Sequence, residues 1–367
     1  MRLQVFFLIA FLVLFSIFPA TSSGHAGEVP GISKDTINIG EIADFTGPIA
    51  VHGREFTRGE QIYFRYLNEK GGINGRKIKL IAEDDRYSVP LAIAAFKKLA
   101  FKDKAFMISG FGSAGPVGMI PLAMREKIPG VHIAASDAVT NPIKRYIFSF
   151  TNSCENETCL MVDFIMEKLK GKEARIAFVT FEGASGRSYL KGANERAKLY
   201  GVKPVAEAIM NLGAIDATSD VLNVKKGKPN YIALFGTAPM ATLFLRDAQK
   251  FGLNVPVVGS TYTCEEVLIK QAGMTSKDFI VLSAFLSWYD ESPGLSKLRK
   301  ITIGYFPGTT YATRSFIHGW TKALVLTEAI KRAGKDITRE NFVEVLENRY
   351  RKSEVYPFYW LERAGFF

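Results

Sequence analysis

The stretch that decides the fold runs from Ile37 to Asp85 and reads INIGEIADFTGPIAVHGREFTRGEQIYFRYLNEKGGINGRKIKLIAEDD. Three isoleucines among its first six residues predict a strand, which runs into a loop containing Gly and Pro. A helix pattern follows and stops at Gly71 and Gly72, and a second strand is predicted over 78–82. This βαβ order predicts a sheet that binds a ligand at the loop after its first strand.

Strand and helix patterns continue to alternate along nearly the whole chain, in two successive series. Such alternation predicts the α/β class, with two doubly wound parallel-sheet lobes covered by helices on both faces. Breaks near residues 150–156 and 283–287 are interpreted as hinge strands that cross between the lobes. We predict lobe 1 over 27–150 and 285–348, and lobe 2 over 151–284.

The first 26 residues have the pattern of a cleavable signal peptide. Arg2 supplies a positive start, and the apolar run Val5–Phe18 is shorter than the roughly 20 residues that a membrane-spanning helix needs. Small residues then lead to a candidate cleavage site at Gly24-His25-Ala26. We predict export and removal of residues 1–26, and the alternative is an uncleaved anchor helix.

Composition and charge are those of a soluble globular protein. Apolar and charged residues make up 47% and 23% of the 367 residues, which is ordinary for that class. The net charge of +11 is spread through the chain in short runs such as Lys97-Lys98 and Lys225-Lys226. Short, dispersed runs favour a solvated surface over a nucleic-acid-binding patch, so we expect no nucleic-acid partner.

Three cysteines follow the apolar N-terminal run: Cys154, Cys159 and Cys264. Because export places them in an oxidising compartment, Cys154 and Cys159 are a candidate disulfide closing a short loop at a helix start. Two free thiols are the alternative, because the sequence does not give the Cβ geometry that a disulfide needs. The few Cys and His residues have no useful ligand spacing, so we expect no metal site.

A glycine motif at Gly110–Gly115 has the form G-x-G-x-x-G, follows a predicted strand and opens a helix, with Asp137 about twenty residues on. We reject a dinucleotide site, because the motif follows the third strand and the chain is exported. Glycines let a ligand approach the backbone, and free N–H groups at the helix start bind a carboxylate. Ser113 adds a hydroxyl. The motif therefore predicts an anion contact without a cofactor, and a structural turn is the alternative.

No catalytic constellation stands out, so we expect no enzymatic activity. His52, His132 and His318 are isolated from any Ser or Cys signature, and Ser185 lies one residue short of a G-x-S-x-G elbow. His132 is predicted to be a packed core residue, whereas His52 follows the first loop and is a candidate for the cleft. The carboxylates at 83–85 are predicted to serve a loop or a helix cap rather than acid/base chemistry.

From about Gly31 to Gly334, the order and spacing of these motifs resemble the periplasmic branched-chain amino-acid (Leu/Ile/Val)-binding proteins, the type I solute-binding proteins of ABC transporters. The resemblance is specific in four segments: Gly40–Ala50, Gly71–Asp85, Gly110–Ala114 and Ala134–Pro142. It implies two lobes that close on a small carboxylate or amino acid in the periplasm. It also implies an inner-membrane ABC permease as partner. The alternative is an exported ligand sensor or regulatory receptor of the same fold.

The resemblance also implies ligand-binding residues. In such proteins a Gly-Ser turn and the loop after the next strand hold the ligand carboxylate, and the far lobe supplies further contacts. The matching positions here are Gly112, Ser113, Ala114, Ser136, Asp137, Ala138, Ser185, Thr237 and Thr261. The candidates to flank an apolar ligand body, for which packing is the alternative, are Phe45, Phe111 and Tyr262.

The chain departs from the family at positions that matter for the ligand. Thr261 stands where amino-acid binders have an acidic residue that receives the ligand ammonium, and Ala138 stands where a Thr is common. A buried ammonium without a carboxylate is unfavourable. Either Asp137, Glu182 or Glu265 substitutes, or the ligand is a carboxylate without an amine, including an aromatic acid. The tail 349–367 also departs from the family, and truncation is one interpretation.

Overall fold

The computed structural model describes residues 29–169, 173–263 and 265–352. The predicted signal peptide and the alternative anchor helix therefore lie outside the described residues, as do Cys264 and residues 353–367 of the predicted tail. Across the part of the chain that is described, no helix combines the length and the apolar character needed to cross a membrane.

Two five-stranded sheets form the framework, and every strand pairing within them is parallel. The first sheet has the order β2-β1-β3-β4-β5 and the second has the order β10-β9-β8-β6-β7. This confirms the prediction of two parallel-sheet α/β lobes. The strands are β1 (Thr36–Ala43), β2 (Lys77–Asp84), β3 (Met107–Phe111), β4 (Gly130–Ile133), β5 (Ile147–Ser149), β6 (Ile176–Phe181), β7 (Ala206–Met210), β8 (Tyr231–Leu234), β9 (Val257–Gly259) and β10 (Phe279–Val281).

Helices connect the strands. They are α1 (Ala50–Glu69), α2 (Val89–Lys97), α3 (Ala114–Arg125), α4 (Asp137–Thr140), α5 (Cys154–Lys168), α6 (Ala184–Leu199), α7 (Thr218–Lys226), α8 (Ala238–Lys250), α9 (Glu266–Ala272), α10 (Pro293–Tyr305), α11 (Arg314–Ala333) and α12 (Arg339–Lys352). Helix α10 was not predicted. The Ser292 side chain accepts the N–H of Leu295, and Pro293 at the first helical position suits a helix start.

The candidate disulfide between Cys154 and Cys159 is not formed, and both thiols are free. Helix α5 begins at Cys154 rather than at Cys159 as predicted, because the Ser153 side chain caps it by accepting the N–H of Asn156. Both cysteines are therefore on one helix. Five residues along an α-helix turn the side chain by roughly 140° about the axis, so the two Cβ atoms point apart.

Glycines let the two longest helices, α1 and α11, pack in backbone contact within the first lobe. A Cβ at Gly59 would overlap the carbonyl oxygen of Phe316, and a Cβ at Gly319 would overlap that of Phe56. Only glycine allows so close an approach. The position of α1, and hence of the loop at its start, is therefore fixed by α11 as well as by the sheet.

A buried ion cluster lies beneath this helix pair. The Lys322 Nζ is 2.7 Å from a Glu60 oxygen and 3.2 Å from a Glu41 oxygen, and all three side chains have no exposed surface. Burial raises the pKa of Glu60 and the adjacent Glu41 raises it further, while Lys322 lowers it. The cluster places a cation in the core between β1, α1 and α11.

The segments that connect the lobes are irregular rather than the crossing strands that the sequence suggested. Their polar groups bond to side chains and turns: the Phe150 carbonyl accepts from His318 Nε2 at 2.9 Å, and the Ser287 N–H donates to Asp290 at 2.6 Å. The Phe150 N–H still donates to the His132 carbonyl and the Leu282 N–H to that of Gly259, and beyond these bonds the described segments do not continue as strands. The lobe boundaries at 150/151 and 284/285 stay predictions.

His318 should make the stability of the protein depend on pH. Burial, aided by the positive charge of Lys322, lowers its pKa to about 3 although the Phe150 carbonyl opposes the shift. The folded ring stays neutral, while an unfolded chain takes up a proton below pH about 6.5. The neutral, buried ring therefore contributes fully to stability at pH values above the pKa of histidine in the unfolded chain. Below that pKa this contribution is lost by about 1.4 kcal/mol for each unit that the pH falls.

When the pH falls from 7 to 5, the free energy of unfolding of the native protein should therefore decrease by about 2 kcal/mol more than that of His318→Gln. Urea unfolding at both pH values measures the two differences. Equal losses in the variant and the native protein would contradict the assignment of a neutral, buried ring.

Candidate functional site

A cavity of about 50 Å³ lies where the carboxyl ends of strands from both sheets meet. Open parallel sheets place ligands at this edge. The residues that line it are Ile49, His52, Tyr87, Phe111, Gly112, Ser113, Ile133, Ala135, Phe181, Ser185, Tyr189, Gly236, Thr237 and Tyr262. The first eight belong to the first sheet and its loops, and the other six belong to the second. The cavity is therefore shared between the lobes.

Half of the predicted ligand-binding residues line this cavity: His52, Gly112, Ser113, Ser185, Thr237 and Tyr262. Phe111, a candidate for contact with an apolar ligand body, lines it as well. The structure thus brings together the glycine motif, the first loop and the far lobe, although these are separated by up to about two hundred residues in sequence.

The remaining predicted residues lie outside the cavity, several of them as supports. The Ser136 N–H donates to Ser113 Oγ at 3.1 Å, and its hydroxyl lies 3.2 Å from Ser188 Oγ. Asp137 accepts the N–H of Glu155 at 3.2 Å, at the start of α5. The buried Thr261 donates its N–H to Glu157, which in turn holds the cavity-lining Tyr189. The other predicted residues outside the lining are Ala114 at the start of α3, exposed Ala138 and half-buried Phe45.

Sequence reasoning missed Ile49, Tyr87, Ile133, Ala135, Phe181, Tyr189 and Gly236. A usable signal exists for most of them, because they end a strand or begin the loop after it. Tyr189 follows Ser185 by one helical turn on α6, so it shares that face of the helix. Tyr87 has no local sequence signal, because its place in the cavity depends on an unusual backbone conformation.

Asp44 builds the loop that carries Ile49 and His52. Its Oδ2 accepts the N–H of Ile49 at 2.8 Å, and its Oδ1 accepts the N–H of Gly47. A Cβ at Gly53 would overlap the Asp44 carbonyl oxygen, so glycine is required where α1 passes over the loop. These contacts explain why the sequence needs an Asp, a Gly and a second Gly at this spacing.

The acidic residues after β2 build the loop that carries Tyr87, as the sequence predicted. Arg86 and Tyr87 have φ values of 48° and 57°, which residues other than glycine rarely adopt. Asp84 accepts the N–H groups of Phe45 and Arg86 at 2.9 and 3.1 Å, and Asp85 accepts that of Tyr87 at 2.9 Å. These bonds offset the strain and aim the tyrosine at the cavity.

The three tyrosines of the cavity are neutral hydroxyl groups. Burial raises the pKa of Tyr87, Tyr189 and Tyr262 above the usual value for tyrosine. The Tyr189 hydroxyl donates to Glu157 at 2.9 Å, and the Tyr262 hydroxyl lies 3.1 Å from Thr151 Oγ1. The polar lining therefore consists mainly of hydroxyl groups whose partners already orient them.

None of the carboxylates proposed to replace the family's acidic residue lines the cavity. Glu182 is exposed, Asp137 serves α5, and Glu265 accepts the N–H groups of Arg314 and Ser315 at the start of α11. Glu157 lies behind the wall, where it accepts the Tyr189 hydroxyl at 2.9 Å. The lining itself contains apolar residues, glycines, hydroxyl groups and the one imidazole of His52.

His52 links the two lobes at the cavity wall and is 1% exposed. Its Nδ1 lies 3.0 Å from Ser315 Oγ and 3.4 Å from a Glu265 oxygen. Its ring stacks at 6.1 Å on Phe111 and meets Tyr262 edge-on at the same distance. His52, which the sequence offered as a candidate for the cleft, therefore lies at the cavity wall.

The sequence profile of the family described as "Periplasmic binding protein" matches residues 36–352. The chain belongs to this family. The Leu/Ile/Val-binding protein BraC3 of Rhizobium johnstonii is 24% identical over 230 residues, which are 61% of this chain and 60% of that protein. The chain thus spans about three fifths of the length of this relative.

Solved structures of the family share the fold. A fatty acid ABC transporter substrate-binding protein from Thermomonospora curvata superposes with a TM-score of 0.81 at 22% identity, covering 87% of this chain and 82% of that one. A branched-chain amino acid ABC transporter protein from Thermus thermophilus with bound valine gives 0.79 at 21% identity, covering 86% and 84%. Identities this low establish the fold alone.

Gly112 is the residue where the cavity is least tolerant of a side chain. Its φ is +97°, and a Cβ there would lie 2.9 Å from Tyr87 Cε2. We expect Gly112→Ala to lower the free energy of unfolding by about 1–3 kcal/mol and to displace Tyr87. Urea unfolding and tyrosine fluorescence measure the two effects.

Gly308→Ala is the matched control, because Gly308 has a φ of +91° with no atom within 4 Å of its Cβ position. It carries the backbone strain without the clash, so we expect a loss of about 1 kcal/mol and native fluorescence. Equal losses in the two variants would show that contact with Tyr87 does not matter.

Proposed function

We propose that this chain is the periplasmic solute-binding protein of an ABC transporter, that it captures a small carboxylate by closing two lobes, and that it performs no chemistry. The observation that carries the proposal is the cavity shared by the carboxyl ends of both sheets, with Gly112 and Ser113 at the start of α3. Family membership supports a substrate-binding role and a periplasmic location. The domain boundaries given above are part of the same proposal.

Ser113 and the start of α3 are suited to hold a carboxylate. Ser113 Oγ accepts the N–H of Ser136 at 3.1 Å, so its own hydroxyl proton is available to a ligand oxygen. The first N–H groups of a helix lack partners within it and attract an anion. The first turn of α3 itself contains no acidic residue.

The rest of the lining suits an apolar body and offers no partner for an ammonium. Phe111, Phe181 and Tyr262 provide aromatic surface, and Ile49 and Ile133 provide aliphatic surface. An ammonium buried among these groups would lack a carboxylate, which is unfavourable. The lining therefore supports an acid without an α-amine over an amino acid.

Contacts between the lobes support closure as the capture step. Ser136 meets Ser188 at 3.2 Å, and Phe111 meets the Tyr262 ring at 5.8 Å. A ligand in the cavity would touch both walls and so favour the closed arrangement over an open one.

Thermal unfolding with a panel of small acids tests the function. We expect at least one aliphatic or aromatic monocarboxylate to raise the melting temperature, because a ligand that binds only the folded state stabilises it. Ser113→Ala should weaken binding of that acid roughly tenfold, since one hydrogen bond to a charged group is lost. Isothermal titration calorimetry measures the affinities.

Ser149→Ala is the control for this variant. Its hydroxyl donates at 2.8 Å to the carbonyl of Ala134, the residue that follows β4, and it does not line the cavity. We expect it to lose stability but to keep full affinity. Failure of every acid in the panel to stabilise the protein would reject the proposed ligand class.

Closure makes a separate prediction about shape. We expect a saturating acid to reduce the radius of gyration measured by small-angle X-ray scattering, because the ligand bridges the two walls. A non-binding compound at the same concentration is the control. Unchanged scattering at a concentration where calorimetry shows full occupancy would argue against capture by closure.

A further inference from the structure

The hydrogen bonds around His52 determine which ring atom is available to a ligand. The Ser315 hydroxyl donates to Glu265, so its oxygen is left to accept a proton from His52 Nδ1, which lies 3.0 Å away. Nδ1 therefore carries a proton. The other ring nitrogen, Nε2, is buried and has no hydrogen-bond partner among the described residues. Because His52 lines the cavity, Nε2 is the atom that a ligand would meet.

Glu265 places a carboxylate beside the His52 ring. One of its oxygens lies 3.4 Å from His52 Nδ1. The carboxylate itself is held by the N–H groups of Arg314 and Ser315 at 3.1 and 3.0 Å, at the start of α11. A helix start favours a negative charge at this place. Glu265 is therefore fixed behind the imidazole and away from the cavity.

We propose that His52, positioned by Glu265, donates from Nε2 to the ligand carboxylate and makes the cavity selective for monocarboxylic acids that lack an α-ammonium. This inference rests on the proposed function and names its ligand class. A neutral ring with its proton on Nδ1 takes up the proton of the bound acid at Nε2, which leaves an imidazolium between two carboxylates, that of Glu265 and that of the ligand. His52 is the ligand-binding residue, and Glu265 acts through it as a positioning residue.

The same arrangement rejects amino acids. An α-ammonium next to the ligand carboxylate would lie close to the imidazolium, and like charges in a buried site repel. The remaining lining groups are neutral, so none of them offsets this repulsion. Selectivity then comes from the repulsion between the imidazolium and an ammonium as well as from the attraction between the imidazolium and the ligand carboxylate.

Two series of compounds test the proposal by changing one group at a time. The aliphatic series is 3-methylbutanoate, 3-methylbutanamide and L-valine, and the aromatic series is phenylacetate, phenylacetamide and L-phenylglycine. Within each series the amide lacks the charge, and the amino acid adds an ammonium. Calorimetry with the full mature chain gives the affinity of each compound. We expect the acid to bind best in at least one series.

The variants are His52→Gln and Glu265→Gln. Both should reduce the preference for the acid over its amide roughly tenfold or more, because a charge-assisted hydrogen bond becomes neutral or loses its orientation. General destabilisation of the protein does not change this ratio of the affinity for the acid to the affinity for its amide. Glu265→Gln keeps the shape of the side chain and its acceptor oxygen, so it remains informative should His52→Gln not fold. Melting temperatures without ligand report folding.

His132→Gln is the matched control, because His132 is a buried histidine of β4 that does not line the cavity. It should lower the melting temperature and keep the native preference. Failure of all six compounds to bind would overturn the inference together with the proposed ligand class. Tight binding of L-valine or L-phenylglycine would overturn the inference alone. An unchanged acid-to-amide affinity ratio in both variants would also overturn the inference, but it would leave the proposed function as a carboxylate-binding protein intact.

Discussion

The buried carboxylate of Asp44 is the contact on which the rest of the cavity depends. It binds the N–H groups of Gly47 and Ile49 and thereby fixes the loop that joins β1 to α1. With the loop fixed, the first turn of α1 brings Ile49 and His52 to the cavity wall. The glycine contacts between α1 and α11 hold the same helix from its other side. One short acidic side chain thus connects the strand, the helix pair and the ligand cavity.

The cavity wall is orientated before any ligand arrives. Tyr189 is held by Glu157, Tyr262 lies in hydrogen-bond range of Thr151, and Ser113 accepts from the backbone of Ser136. Burial keeps the tyrosines neutral, so these bonds add polarity without adding charge. Groups with fixed partners lose little conformational freedom when a ligand binds. The left-handed conformation at Tyr87 serves the same end, because two carboxylates of the loop offset its strain.

The sequence predicts the framework well, because strands and helices follow from local patterns. Helix α1 ends at Glu69, just before the Gly71-Gly72 pair that the sequence marks as its stop, and the two parallel sheets follow from alternation of strands and helices. The site is predicted only in part. Strand ends indicate Gly112, Ser113 and Thr237, but Tyr87 depends on left-handed backbone conformations at Arg86 and Tyr87 that residues other than glycine rarely adopt. The candidate disulfide failed because the Ser153 cap starts α5 at Cys154 and places both cysteines on one helix.

The shared framework does not decide the ligand, because solved structures whose descriptions name different compounds have nearly the same fold as this chain. A fatty-acid-transporter protein and a valine-bound protein superpose on this chain almost equally well, with TM-scores of 0.81 and 0.79. Ligand choice must therefore lie in the few side chains that reach the cavity. Among these, His52 carries a ring nitrogen, Nε2, for which the described residues supply no hydrogen-bond partner. The lining contains no carboxylate, so its charge pattern supports the proposal of an acid rather than an amino acid as the ligand.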